Sequence, residues 1–300
     1  MQDQSSRRAI YAITVSMAVY VVGDTVLKIL GQRFPPSELI FFRSCIILVS
    51  LSAVMLWTRP RLAFRALVSW PVMGRCVFDA INILSFTTAV IHMGLAELYA
   101  ILQMSPFLMT ILAIVFFREP VGWRRWTAIL IGFGGVLLIV KPDADGLNAW
   151  AILGIVAAFG AACRETITRK IDPAVSTLEV AFLSAVFTSV GTFIYGYGYR
   201  ESWPAMSQHE MLLLFVQAMS WLVGTFLLIH ACRTAPLSIV ASFRYSLLVW
   251  GALAGYFVFN DLPDPLAICG AVIIVLCGLY IFHREAVRRA PLASTVTTVN

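Results

Sequence analysis

Two pairs of opposite charges stand four residues apart inside segments that are otherwise apolar. Asp24 and Lys28 lie in AIYAITVSMAVYVVGDTVLKIL (Ala9 to Leu30), and Arg75 and Asp79 lie in GRCVFDAINIL (Gly74 to Leu84). On a helix that spacing puts acid and base on one face, close enough to pair. Such a face is costly against hydrocarbon, so it looks inward, to a partner helix or a wet cavity. An acid placed there has two uses, proton uptake or recognition of a cation, and both Asp24 and Asp79 are candidates for a proton. A third feature is SFRYS (Ser242 to Ser246), where Arg244 stands between Phe243 and Tyr245. An arginine among aromatics can hold a carboxylate or phosphate and stack on a planar ring.

The elements that must carry these residues follow from composition. The chain has 300 residues, of which 60% are hydrophobic and 13% charged, with a mean hydropathy of +0.85. Soluble domains are about half apolar and a quarter charged. A membrane span needs roughly 20 apolar residues. Ten such runs are found, at about 10–30, 37–57, 70–91, 94–117, 122–140, 149–170, 174–199, 209–231, 236–259 and 264–283, joined by short linkers. The chain is therefore read as an all-α polytopic membrane protein with no room for a soluble domain. The tail at 287–300 is polar and is expected to be disordered and cytoplasmic. With the N-terminus inside, fourteen of the 22 Lys and Arg fall on the cytoplasmic side, three in outer loops and five within spans. That bias places both termini in the cytoplasm and makes the net charge of +6 a topology signal and not a nucleic-acid one.

A shift of about 142 residues lays Ala89–Glu119 over Ala231–Asp261, Glu38 near Glu179, Gly135 near Gly278 and Asp79 on Trp221. The chain is read as duplicated, with a first repeat at 1–143 and a second at 144–286. Five spans per repeat is an odd number, so the halves are inserted upside down relative to one another. In secondary transporters that plan puts the substrate site near the midplane.

Several stretches carry a family resemblance: Asp24 and Lys28 followed by PSELIFFR ending in Arg43, the run from Gly74 to Pro120, and GFGGVLLIVKP from Gly132 to Pro142. The sequence resembles the EamA-type transporters of the drug/metabolite transporter superfamily over about residues 8–285. In the second half NDLP (Asn260–Pro263) stands where the family often has a Gly-Glu pair. The resemblance implies ten helices in two inverted five-helix repeats, alternating access, and no nucleotide-binding domain. Relatives move amino acids, S-adenosylmethionine, riboflavin, metallophores or organic acids, and the fold does not choose among them.

The expected substrate cavity comprises Asp79, Asn82, Gln103, Gln217, Ser220, Trp221, Phe243, Arg244 and Tyr245. Coupling or gating is expected of Asp24, Lys28, Arg43, Arg75, Glu97 and Glu179, with helix clipping as the plainer role for the ion pairs. Glu38, Glu97 and Glu179 sit at helix ends, where a solvated carboxylate is the plainer reading. Arg164 and Glu165 are adjacent and must find partners across helices. Pro106 is expected to kink the fourth span, and Gly132, Gly134 and Gly135 to pack closely against a neighbour. His92 and His230 lack ligand spacing, and no metal or cofactor is expected. The rival class, an intramembrane enzyme, would need a motif such as HExxH or GxSxG, and the sequence has neither. The function expected is secondary transport of a small polar, amino-acid-like metabolite, with an organic anion or riboflavin as the alternative. The partners are that molecule, the lipid bilayer and, for a coupled cycle, protons.

Overall fold

The computed structural model describes residues 2–58, 68–118, 123–141, 148–172, 174–234, 243–261 and 263–296. Every regular element among them is a helix: α1 Gln2–Leu30, α2 Pro36–Thr58, α3 Trp70–His92, α4 Leu95–Leu102, α5 Ser105–Phe117, α6 Trp123–Val140, α7 Ala149–Thr168, α8 Thr177–Gly198, α9 Gln208–Thr234, α10 Ser246–Phe259 and α11 Pro265–Val296. The start of the ninth expected span, 236–242, lies outside the described residues. Seven segments are long and apolar enough to cross a membrane, with α4 and α5 counted together as Leu95–Phe116, and α6, α10 and α11 contribute shorter apolar stretches. The outer surface carries large apolar side chains such as Leu56, Tyr197 and Phe257. Water would not tolerate so much exposed apolar surface, whereas lipid does. The last helix is described as far as Val296, past residue 287, where the sequence reading sets the start of a disordered tail.

Helix ends follow local chemistry. Asn148 caps α7 by accepting from the Trp150 amide. Ser176 and Glu179 form a reciprocal capping box on α8. In that box Ser176 accepts the Glu179 amide at 3.2 Å and Glu179 Oε2 accepts the Ser176 amide at 2.7 Å. Glu179 thus has a structural task at the helix start, where the sequence offered a gate. Ser176→Ala is expected to cost about 1 kcal/mol of stability, read as a lower melting temperature.

Pro106 does more than kink its span. It has no amide hydrogen and its ring crowds the carbonyl four residues back, and α4 stops at that residue, Leu102. Gln103 and Met104 form a tight turn, with Met104 N bonded to Ile101 O at 3.0 Å, and α5 starts with Pro106 in its first turn.

Packing pairs distant parts of the chain. α1 lies along α9, α3 along α7, α2 along α8 and α6 along α11, while α4 touches α7 and α10. Small residues allow the closest approaches. A Cβ on Gly135 would stand 2.9 Å from the Gly270 carbonyl, and one on Gly270 would collide with the Gly135 carbonyl. Gly132 faces the Phe107 ring, whereas Gly134 has nothing within 4 Å and looks outward. Two of the three expected packing glycines therefore sit in a contact.

Candidate functional site

The buried charges gather where α1, α2, α3, α7 and α9 meet. Asp79 on α3 is 7% exposed and is gripped from two sides. Arg164 Nη1 on α7 stands 2.8 Å from Oδ1, and Arg75 Nη1, one turn back on α3, stands 3.9 Å from Oδ2. Arg164 also reaches its neighbour Glu165 at 3.4 Å. Arg75 donates to Ser184 Oγ on α8 at 2.7 Å and to Thr168 Oγ1 on α7 at 3.1 Å. The i, i+4 pairing expected of Arg75 and Asp79 is present, but the shorter partner comes from the other half of the chain. Asp79 therefore ties α3 to α7, and Arg75 extends the link to α8.

The expected Asp24–Lys28 pair does not form. Asp24 accepts a 2.7 Å hydrogen bond from the Tyr99 hydroxyl on α4. Lys28 is buried and donates to the Met93 carbonyl at 2.8 Å, with its ammonium 4.7 Å from the centre of the Phe259 ring. The physical reason is reach. Met93 ends α3 in an extended conformation, and its carbonyl lies within hydrogen-bond reach of the ammonium. Glu97 and Asp261 add negative potential at the same place. Those two acids share a pocket with Gly94, Leu95, Ala96, Gly255 and Pro263. Near the same end of the bundle Lys141 pairs with Asp264, Arg33 with Glu210, and Ser37 with Glu201. Glu38, expected at a solvated helix end, is instead 1% exposed, and its Oε2 has no hydrogen-bond partner.

Arg43 on α2 is 5% exposed. Its guanidinium lies over the ring of Trp221 from α9, 5.3 Å from the centroid, and feels the charges of Asp24 and Asp79. Gln217 and Ser220, one turn and one residue before Trp221, are buried, and Gln217 Oε1 has no partner. Ser220 packs where α1 passes at Gly23.

The remaining candidates divide. Asn82 donates to the Ala157 carbonyl at 2.7 Å and so clips α3 to α7. Gln103 is half-buried in the break between α4 and α5. Tyr245 is buried against Gly278 with its hydroxyl unpartnered. Phe243 and Arg244 are exposed, so the structure does not bring Arg244 into the buried cluster, although its charge reaches Tyr20 and Tyr245. Sequence reasoning missed Tyr99, Tyr20 and Ser184. The signal for Tyr99 was present, since a hydroxyl in an apolar helix has to find a partner.

An all-helical bundle with a lipid-compatible exterior and charged residues converging on its interior has the architecture of a multi-pass membrane protein. Residues 7–141 match the EamA-like transporter family, the family that the sequence resemblance implied. Named relatives extend the likeness over nearly the whole chain. An S-adenosylmethionine uptake transporter of Rickettsia bellii is 29% identical over 286 residues, covering 90% of this chain and 92% of its own. The pseudopaline exporter CntI of Pseudomonas aeruginosa is 27% identical, covering 86% and 89%. A riboflavin transporter of Vibrio cholerae is 30% identical over 62% of each chain. One solved crystal structure shares the fold, with a TM-score of 0.55 at 15% identity, over 93% of this chain and 98% of that one.

Proposed function

We propose that the protein is a secondary transporter, not an enzyme, that moves an amino-acid-like metabolite of the S-adenosylmethionine type across the cytoplasmic membrane by alternating access. The observation that carries this reading is a pair of helix breaks at matching places in the two halves. The fourth span breaks at Gln103–Met104, and a turn at Tyr245 separates helical Phe243–Arg244 from α10. Those turns are about 142 positions apart, the same shift that relates the two sequence halves. Discontinuous helices facing one another across a repeat interface are where transporters bind their cargo, and α4 packs against α10 here.

Other features support two inverted repeats at 1–143 and 144–286, with ten spans. The α1–α9 packing has its counterpart in α7–α3, and α6–α11 and α2–α8 each pair equivalent spans. Arg118 and Asn260, also 142 apart, both end their helices in the left-handed region, at φ 51° and 52°. The positive-inside bias supports both termini in the cytoplasm. Of the two acids considered for proton coupling, Asp24 is the better placed, because one phenol holds it whereas Asp79 lies between two guanidiniums. The substrate class is supported by the relatives named for S-adenosylmethionine uptake and by an interior that offers both charge signs beside Trp221 and Tyr99.

Reconstituted into vesicles loaded with unlabelled S-adenosylmethionine, the protein is expected to accumulate the labelled compound by exchange. Exchange of riboflavin or a dicarboxylate in its place would move the substrate to the alternative class. Absence of any exchange across the panel would overturn the transporter reading.

A further inference from the structure

We propose that Arg43, held on the face of Trp221, is the anchor for the carboxylate of an α-amino-acid head on the transported molecule. The inference rests on the transporter reading and names the part of the substrate that the site grips.

Arg43 differs from the other buried cations of the interior. Lys28 has the Met93 carbonyl, Arg164 has Asp79 and Glu165, and Arg75 has Ser184, Thr168 and Asp79. Arg43 is as buried as Lys28, yet among the described residues its one contact of this kind is with the Trp221 ring. It makes no hydrogen bond or ion pair with any described residue. A guanidinium has five N–H donors, and taking a cation out of water without a partner costs several kcal/mol. The two acids whose charges reach it are engaged elsewhere, Asp24 with Tyr99 and Asp79 with the two arginines of α3 and α7. Among the described residues, the interior therefore presents one planar donor fork with no acceptor of its own.

The missing acceptor can be given a chemical class. A guanidinium fork matches a carboxylate through two parallel hydrogen bonds. The indole, 5.3 Å from the guanidinium, engages the cation through its ring face and leaves its N–H donors available. Asp24 and Asp79 lie near enough to discourage a dianion such as a phosphate monoester. Tyr99 occupies Oδ2 of Asp24, and the carboxylate retains acceptor capacity for an ammonium. A carboxylate on Arg43 with its α-ammonium toward Asp24 satisfies both charges, and Trp221 leaves an aromatic surface for the remainder of the molecule. This assigns to Arg43 the anion-binding role that the sequence pattern offered to Arg244.

The test is ligand-dependent thermal stabilisation of the purified full chain, as wild type, Arg43→Gln and Arg43→Lys. The probes come in pairs that differ at the carboxylate: S-adenosylmethionine and its decarboxylated analogue, L-methionine and L-methioninamide, succinate and succinamide. Wild type is expected to bind the carboxylate member of a pair about ten- to a hundredfold more tightly, the range for a hydrogen-bonded charge. In Arg43→Gln that ratio falls to near one while the affinity for the decarboxylated probe holds, which also shows that the variant is folded. Arg43→Lys, with a charge and no fork, falls between. A ratio that survives in Arg43→Gln, or an equal loss for both members of a pair, overturns the assignment. Binding of L-methionine or succinate without S-adenosylmethionine sinks the substrate reading alone, and Arg43 is then judged on the pair that binds. A wild-type protein stabilised by no carboxylate overturns the anchor whatever the vesicles transport.

Discussion

Asp79→Asn is expected to lower the stability of the protein by about 3 kcal/mol, the lower end of the range for removing one partner of a buried ion pair. The loss arises because Arg164 and Arg75 keep their charges when the carboxylate is gone. Arg164 keeps a quarter of its side chain exposed, and water there relieves part of the cost. The variant separates two readings of Asp79. If the residue is the counterion of α3 and α7, Asp79→Asn unfolds at a lower temperature with or without substrate, and the double variant Asp79→Asn/Arg164→Gln recovers most of the loss. If Asp79 touches the transported molecule, the single variant keeps its melting temperature and loses ligand stabilisation. The 2.8 Å contact with Arg164 favours the first outcome, and an unchanged melting temperature of the unliganded variant would count against it.

The second large effect concerns the α6–α11 contact. Gly270→Ala is expected to cost about 3 kcal/mol, the upper end for overpacking a tight interface. The new methyl meets the Gly135 carbonyl and, at 2.8 Å and 3.3 Å, Ile139 Cγ1 and Leu138 Cβ. Ile139 can turn aside, but the carbonyl belongs to a helix backbone and moves only if the helix does. Gly134→Ala is the matched control. It lies one residue from Gly135 with nothing within 4 Å of the new methyl, so it is expected to be neutral or slightly stabilising, as alanine favours a helix by up to about 1 kcal/mol over glycine. Both are read by thermal unfolding in detergent. Equal effects at the two positions would mean that helix propensity, and not the close contact, decides stability here.

Much of this protein is legible in its sequence. Runs of about 20 apolar residues can adopt one spanning structure that satisfies their backbone, the helix, so hydropathy located α1, α2 and α3 to within a few residues, the unusually long first turns of α1 apart. The break at Pro106 was legible as a disturbance, but its extent was not. A proline requires the local hydrogen bond to fail, while the surrounding helices decide whether the chain bends or stops. The capping box at Ser176 was legible in principle from S-x-x-E alone, yet Glu179 read equally well as a gate, because its partner is the amide of its own cap and not a side chain.

The site was less legible because its contacts join residues far apart in sequence. Asp24 and Lys28 carried a genuine local signal, a shared helix face, and that face does turn inward. Spacing could not reveal that Tyr99, 75 residues along the chain, would take the acid, or that a carbonyl at Met93 would take the base. For Asp79 the local partner, Arg75, was predictable, and the shorter contact to Arg164, 85 residues distant, was not. Arg244 and Arg43 show the same limit from the opposite side. Flanking aromatics drew attention to Arg244, whereas the aromatic that matters for Arg43 comes from another helix.

By itself the sequence determined that this chain is rich in helices long and apolar enough to cross a bilayer and that charged faces turn inward, because each of those follows from the solvation of side chains and backbone along one continuous segment. Tertiary structure alone decided which charges pair and which buried cation has no hydrogen-bonded partner among the described residues, because electrostatic partnership depends on distance in space, and in this bundle the partners come from helices that the chain brings together only after folding.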